Sequence, residues 1–166
     1  MTPQSSFAPL NDELHSSNFM QLELIRGVTE RGVPIRMPAR GFSMSPFIHD
    51  GDVLVIAPSK GRQPRLGDVV AFTLPGSDRL AIHRIVARHK DGWLVRGDNS
   101  SQADGVVGGD AILGVVIRVE RDGRNIRLGL GVERVGIALL NRSNLLPALR
   151  EWRYLLRRLL AFLKLH

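Results

Sequence analysis

Residues 67–89 read GDVVAFTLPGSDRLAIHRIVARH, two runs rich in apolar and β-branched residues on either side of a turn segment. The turn segment, residues 75–78, consists of Pro, Gly, Ser and Asp, which are the residue types that favour tight turns. Short β-type runs separated by such a break are typical of two neighbouring strands. The stretch therefore predicts a β-hairpin.

The same pattern continues on both sides of this hairpin, from residue 33 to residue 128. The breaks between the runs are rich in Gly, Pro, Asp and Asn, and Asp122-Gly123 favours a tight hairpin turn because it supports positive φ. The predicted strands are Val33–Met37, Val53–Ala57, Asp68–Thr73, Leu80–His89, Trp93–Gly97, Ala111–Glu120 and Asn125–Leu128. No long helical pattern separates them, so the predicted fold class is mainly β.

The composition of the 166 residues is that of a globular protein, with 43% apolar and 23% charged residues. Cysteine is absent, which excludes disulfides, thiolate metal sites and a cysteine nucleophile. The sequence has neither a nucleotide-binding glycine fingerprint nor a grouping of histidine and acidic residues at metal-ligand spacing, so we predict no cofactor and no metal. It also has no apolar run long enough to span a membrane and no secretory signal pattern, which predicts a cytoplasmic protein.

The residues outside the strands divide into four segments. Residues 1–17 are polar and predict a flexible arm, and residues 18–32 carry a one-sided apolar stripe that predicts a short N-terminal helix. Residues 129–144 are interpreted as a connector. Leucines at helical spacing, interleaved with arginines, predict a basic amphipathic helix over residues 145–166.

The net charge of +7 belongs mostly to the C-terminal part of the chain, because residues 142–166 contain six basic residues and one acidic residue. The rest of the chain is nearly neutral, so no nucleic-acid partner is expected. Two alternatives remain for the helix over residues 145–166. It docks on an anionic membrane surface, which would place the protein peripherally on the inner surface, or it packs on the domain or on a second copy.

Serine, histidine and aspartate side chains suited to acyl transfer are all present. Ser43 lies in a bend flanked by glycine and proline, where a nucleophilic hydroxyl projects and backbone N–H groups face the same space. A serine needs a base, for which His83 is the candidate, and the base needs a carboxylate such as Asp98 or Asp104. The spacing alone leaves open whether these groups meet, or whether Ser43 is an ordinary turn hydroxyl.

Four motifs follow one another in a recognisable order. They are the Ser-Met-x-Pro box Ser43–Pro46, the strand starts Gly51–Val55 and Gly67–Val70, and the His83-Arg84 pair. This order resembles that of the signal peptidase I and LexA-type serine peptidases of the S24/S26 superfamily, over residues 36–118. The resemblance implies a β-rich catalytic domain that cleaves peptides or protein precursors.

The histidine in the fourth motif resembles the endoplasmic-reticulum and archaeal members, in which His-Arg stands where the bacterial enzymes have Lys-Arg. The resemblance implies Ser43 as nucleophile, His83 as base and Asp104, which follows a Gly-Asp-Asn segment, as the orienting acid. Asp98 is the alternative for the third position. The backbone N–H groups of Phe42 and Ser43 are the implied donors to the oxyanion.

Two departures from the family pattern bear on function. The triplet Gly41-Phe42-Ser43 lacks the serine with which signal peptidases often add an oxyanion donor. Residues 18–30 are too short and too polar to form the transmembrane helix that precedes the serine box in signal peptidases. We therefore expect a serine endopeptidase without a membrane anchor. The alternative is a catalytically weak or inactive binding or adaptor protein that retains the peptidase fold.

Overall fold

A computed structural model describes residue 20, residues 22–60 and residues 62–145, and its eight strands form one antiparallel sheet. A helix, α1, covers residues 22–30. The later elements are β1 (Ile35–Pro38), β2 (Val53–Pro58), β3 (Val69–Thr73), β4 (Leu80–His89), β5 (Gly92–Arg96), β6 (Gly105–Val107), a 3₁₀ turn (Gly109–Ala111), β7 (Ile112–Arg121), β8 (Arg124–Ile126) and α2 (Arg134–Arg142). The strand order is β1-β2-β7-β3-β4-β5-β6, with β8 beside β7. The predicted fold class, mainly β, is confirmed.

The hairpin predicted from residues 67–89 is present as β3 and β4, which pair antiparallel from Val69 opposite Arg84 to Thr73 opposite Leu80. The strands β7 and β8 are joined at the predicted turn, where Asp122 and Gly123 have φ values of 50° and 73°. These positive angles match the mirror-image turns that suit the twist of paired strands.

Two elements appear where the sequence predicted none. The strand β6 occupies three residues of the predicted loop after β5 and exists by pairing with β5, with Val106 opposite Leu94. The segment 129–144, interpreted as a connector, contains α2, which packs against β4 and buries Ile137 and Ala138. In both cases tertiary packing stabilises an element that has a weak local signal.

The core lies on both faces of the central strands. Along β3 the side chains alternate between two clusters, with Val69 and Ala71 in one and Val70 and Phe72 in the other. Since successive side chains of a strand point to opposite faces, β3 is covered on both sides. The strand β4, which carries His83 and Arg84, pairs directly with this doubly covered strand.

The helical segments at the two ends are described only in part. The helix predicted for residues 18–32 is present over residues 22–30 and is followed by Gly32 with φ 76°, a left-handed residue of the kind that ends helices. The flexible arm predicted for residues 1–17 lies outside the described residues. Of the basic helix predicted for residues 145–166, all but residue 145 lies outside them as well. Among the described residues, no helix has both the length and the apolar character needed to cross a bilayer.

Candidate active site

Ser43 lies in a tight turn, residues 41–48, between β1 and β2. The turn begins at Gly41, whose φ of 81° is in the left-handed region, and the Gly41 N–H donates to Asp50 Oδ1 at 2.7 Å. Directly after the serine, Met44 is buried in the core, and its carbonyl accepts the N–H groups three and four residues further on. The hydroxyl of Ser43 is therefore presented by a turn that is anchored on both sides.

His83 reaches this turn from β4, where its backbone lies opposite Val70 of β3. The Ser43 hydroxyl lies 2.8 Å from His83 Nε2, and Asp104 Oδ2 lies 2.7 Å from His83 Nδ1. A neutral imidazole that donates from Nδ1 to the carboxylate has an acceptor at Nε2 for the serine O–H. The His83 and Asp104 side chains are 13% and 16% exposed, so both remain partly accessible to solvent.

The position of Asp104 depends on β6, which the sequence did not predict. The Asp104 N–H donates to the Val95 carbonyl at 2.9 Å, immediately before β6 pairs with β5. This pairing returns the chain towards β4 after the irregular loop of residues 97–104. Of the two candidate acids, the structure brings Asp104 to His83.

Asp98, the other candidate acid, lies with Arg84 instead. Two hydrogen bonds of 2.8 and 2.6 Å join the Arg84 guanidinium to the two oxygens of Asp98, and both side chains are 0% exposed. Arg84 Nη1 also donates to the carbonyls of Gly67 and Gly129, at 2.8 Å each. Because consecutive strand residues point to opposite faces, His83 and Arg84 meet different carboxylates.

The backbone around the serine presents three unused donors. The N–H groups of Phe42, Ser43 and Met44 donate no hydrogen bond within the part of the chain that the structure describes. The carbonyls on the same stretch are occupied, since Asn99 donates from its backbone to the Ser43 carbonyl at 2.7 Å and from its side chain to the Phe42 carbonyl at 3.1 Å. Sequence reasoning used Asn99 only as a motif marker and missed this contact.

A second ion pair lies beneath the turn. The Arg121 guanidinium donates twice to Asp52, at 2.8 Å each, and the His49 N–H donates to the same carboxylate at 2.8 Å. Burial raises the pKa of Asp52, but the hydrogen bonds from Arg121 and His49 outweigh burial and lower the pKa below its ordinary value. Arg121 also reaches the Phe47 carbonyl at 3.4 Å, so this ion pair supports the turn.

A cleft of about 290 Å³ opens beside Ser43. Its walls come from β1, from the turn and from the start of β4, and they include the apolar side chains of Met37, Ala39, Leu80 and Ile82. Polar groups, among them Arg40 and Arg79, line the cleft as well. A cleft of this mixed character beside a hydroxyl is a suitable binding place for a small ligand group.

Comparison with known proteins gives one family and three relatives. Residues 31–117, just over half of the chain, match the family described as Peptidase S24-like. The catalytic subunit SEC11 of the signal peptidase complex from Leptosphaeria maculans is 30% identical over 94 residues, which cover 54% of this chain and 53% of that protein. The corresponding subunits from Pyrenophora tritici-repentis and Pyrenophora teres f. teres are 30% and 29% identical with the same coverage.

The chain thus spans about half the length of the curated relatives it matches. The family match contains all three residues of the hydrogen-bonded set Ser43, His83 and Asp104, and it agrees with the resemblance read from the motifs. The chain therefore belongs to the Peptidase S24-like family.

Proposed function

We propose that this protein is a serine endopeptidase of the signal-peptidase-like group, with Ser43 as nucleophile, His83 as general base and Asp104 as the orienting acid. The observation that carries the proposal is the pair of hydrogen bonds, 2.8 and 2.7 Å long, that places His83 between the hydroxyl and the carboxylate. Nucleophile, base and orienting group in hydrogen-bond reach of one another are the arrangement that acyl transfer needs.

The reaction begins when Ser43 Oγ bonds to the carbonyl carbon of the scissile peptide and its proton passes to His83 Nε2. Collapse of the tetrahedral intermediate breaks the carbon–nitrogen bond, and the amine leaves with the proton from Nε2. Water then attacks the acyl ester and gives a proton to His83, and release of the acid restores the Ser43 hydroxyl. Asp104 holds the Nδ1–H tautomer and stabilises the imidazolium throughout.

The negative oxygen of the intermediate needs donors, and we assign the N–H groups of Phe42 and Ser43 to this role. Both are without an internal acceptor in the described part of the chain, and they adjoin the nucleophile. One such donor contributes roughly 10²–10³ in rate. Backbone donors of this kind would compensate for the side-chain donor that the triplet Gly41-Phe42-Ser43 lacks.

The substrate class is a peptide or protein precursor. The cleft beside Ser43 is small, at about 290 Å³, and part of its wall is formed by the apolar side chains of Met37, Leu80 and Ile82, which favours small side chains next to the cleaved bond. Docking of residues 145–166 on an anionic membrane surface or on a second copy, and a cytoplasmic, peripheral location, stay predictions from the sequence. Residues 146–166 lie outside the described part of the chain.

A fluorophosphonate probe tests the catalytic assignment without knowledge of the natural substrate. Ser43 Oγ displaces fluoride from phosphorus, and mass spectrometry of the digested protein locates the adduct. We expect the adduct on Ser43, no adduct at this position in Ser43→Ala, and labelling at least ~10³-fold slower in His83→Ala.

The matched control is Ser45→Ala, since Ser45 lies two residues along the same turn and should leave labelling unchanged. Persistent absence of the Ser43 adduct in folded protein would favour the adaptor alternative. Labelling of His83→Ala at the rate of the unmodified chain would overturn the role of His83 as base.

A further inference from the structure

The helix α2 lies beyond the residues that match the family, yet it contacts the loop behind the candidate site. Asn141 near its end is 0% exposed, and its side-chain NH₂ donates to Asp98 Oδ1 at 3.0 Å and to the Gly97 carbonyl at 3.3 Å. The Asn141 carbonyl accepts a third bond, from Arg96 Nη1 at 3.0 Å. Asn141 of α2 thus contacts the last residue of β5 and the first two residues of the loop.

These loop residues adjoin the nucleophile directly. A Cβ atom added to Gly97 would come within 2.8 Å of the Ser43 carbonyl oxygen and 3.2 Å of His83 Cδ2, so the backbone passes close to both groups. The next residue along the loop, Asn99, donates from its backbone to the Ser43 carbonyl and from its side chain to the Phe42 carbonyl. The loop therefore fills the space between α2 and the serine–histidine pair.

The side-chain amide of Asn141 does not serve the stability of the fold alone. Its Oδ1 is buried and accepts no hydrogen bond in the part of the chain that the structure describes. A buried polar atom without a partner destabilises the folded state, and an apolar side chain of similar volume would avoid that cost. The contacts that only the amide provides are those to Asp98 and Gly97.

We infer that Asn141 is a positioning residue for the proposed peptidase site, acting through Gly97 and Asp98 on the placement of Ser43 and His83. The inference rests on the proposed function for its catalytic meaning. In this inference α2 helps to position the site, although Asn141 touches none of the reacting atoms. Small displacements of reacting groups reduce rates steeply, by up to about 10²-fold for 1 Å.

The test compares Asn141→Leu, which removes the amide and keeps a similar volume, with Ile137→Ala, which weakens the apolar packing of the same helix. Two quantities are measured in the full chain below its melting temperature. They are the second-order rate of fluorophosphonate labelling at Ser43 and the downfield NMR resonance of the His83 Nδ1 proton, assigned with His83→Ala. We expect Asn141→Leu to slow labelling 10- to 100-fold and to broaden or shift the resonance. In Ile137→Ala both quantities should stay as in the unmodified chain.

An unchanged rate and resonance in Asn141→Leu would overturn the inference, and the catalytic proposal would stand as long as Ser43→Ala stays unlabelled. Equal losses in Ile137→Ala would also overturn it, because general loosening of α2 would then be the cause. If the unmodified chain is not labelled, the proposed function fails and the resonance alone decides the role of Asn141. If Asn141→Leu does not fold, Asn141→Ala is measured in its place and interpreted in the same way.

Discussion

His83 and Arg84 are neighbours on β4 but lie in opposite surroundings. The His83–Asp104 pair is near the surface, with side chains 13% and 16% exposed, whereas the Arg84–Asp98 pair is 0% exposed. In the first pair, the imidazole of His83 contacts the Ser43 hydroxyl through Nε2. In the second, the guanidinium of Arg84 carries a permanent charge, and each of its nitrogens donates a hydrogen bond. The alternation of a strand thus separates a histidine near the surface from a buried permanent charge.

The buried ion pair has a structural consequence for the exposed one. Asp98 and Asp104 are the two ends of one loop, and Arg84 fixes the first end from the same strand that carries His83. Buried ion pairs add little net stability, but their loss is costly because an uncompensated charge remains. We therefore expect that substitutions at the His83–Asp104 pair mainly change the labelling rate. Substitutions at the Arg84–Asp98 pair should mainly change stability, with a smaller effect on rate through the loop that Asn141 also contacts.

The largest expected effect separates the two acids. Asp104→Asn should slow labelling of Ser43 by roughly 10⁴-fold with little change in the free energy of unfolding, because an amide favours the wrong imidazole tautomer. Asp98→Asn should mainly lower the free energy of unfolding, because Arg84 would lose its counter-charge. The labelling rate at Ser43 and urea denaturation are measured on each variant. A similar loss of rate in both variants, while both stay folded, would contradict the assignment of the third role to Asp104.

The next effect concerns the cation. Arg84→Leu should lower the free energy of unfolding by about 3–5 kcal/mol, because Asp98 is then left charged in the core. The double variant Arg84→Leu with Asp98→Leu should recover part of this loss, since no charge remains buried. Urea denaturation measures both.

The control for Arg84→Leu is Arg88→Leu, four residues along β4, where the guanidinium is exposed and stacks over Trp93 at 4.3 Å. A contact of this kind contributes about 0.5–1 kcal/mol. If Arg84→Leu and Arg88→Leu lower the free energy of unfolding equally, the distinction between a buried structural charge and an ordinary surface charge does not hold.

Seven of the eight strands were predictable because β-type runs and turn residues are local signals. The motif order pointed to Ser43 and His83, and the family resemblance favoured Asp104 by its offset from Gly-Asp-Asn. The residues alone left Asp98 open, because the two acids lie six residues apart in one irregular loop. That decision depends on β6, which has three residues and forms by pairing with β5. The contact between Asn141 and Asp98 joins residues 43 positions apart, so no local pattern could have indicated it.

The smallest expected effect concerns the second aspartate–arginine pair, Asp52 and Arg121, which differs from Arg84–Asp98 in being open to solvent on the arginine side. The pKa of Asp52 lies below its ordinary value of 3.8 in the folded chain because hydrogen bonds from Arg121 and His49 outweigh the opposing effect of burial. The stability that the carboxylate contributes is therefore fully present above the unfolded pKa and is lost as the pH falls through the folded pKa. Asp52→Asn should cost about 1–2 kcal/mol at neutral pH and flatten the acid limb of stability against pH.

Urea denaturation at a series of pH values from neutral to about 2 measures this acid limb, with the exposed Asp91→Asn as the control that should leave it unchanged. The Asp52–Arg121 pair lies beneath the turn that carries Ser43, and Arg121 also contacts the Phe47 carbonyl. Acid loosening should therefore begin at the serine turn and not at the loop held by Arg84. Backbone amide exchange at low pH tests this, with faster exchange expected at Phe47 and Ile48, whose N–H groups donate within the turn, than at Asn99. If the free energy of unfolding falls in parallel with pH for Asp52→Asn and the unmodified chain, the Asp52–Arg121 pair does not govern the acid limb. The two ion pairs would then not differ in the way that their exposure predicts.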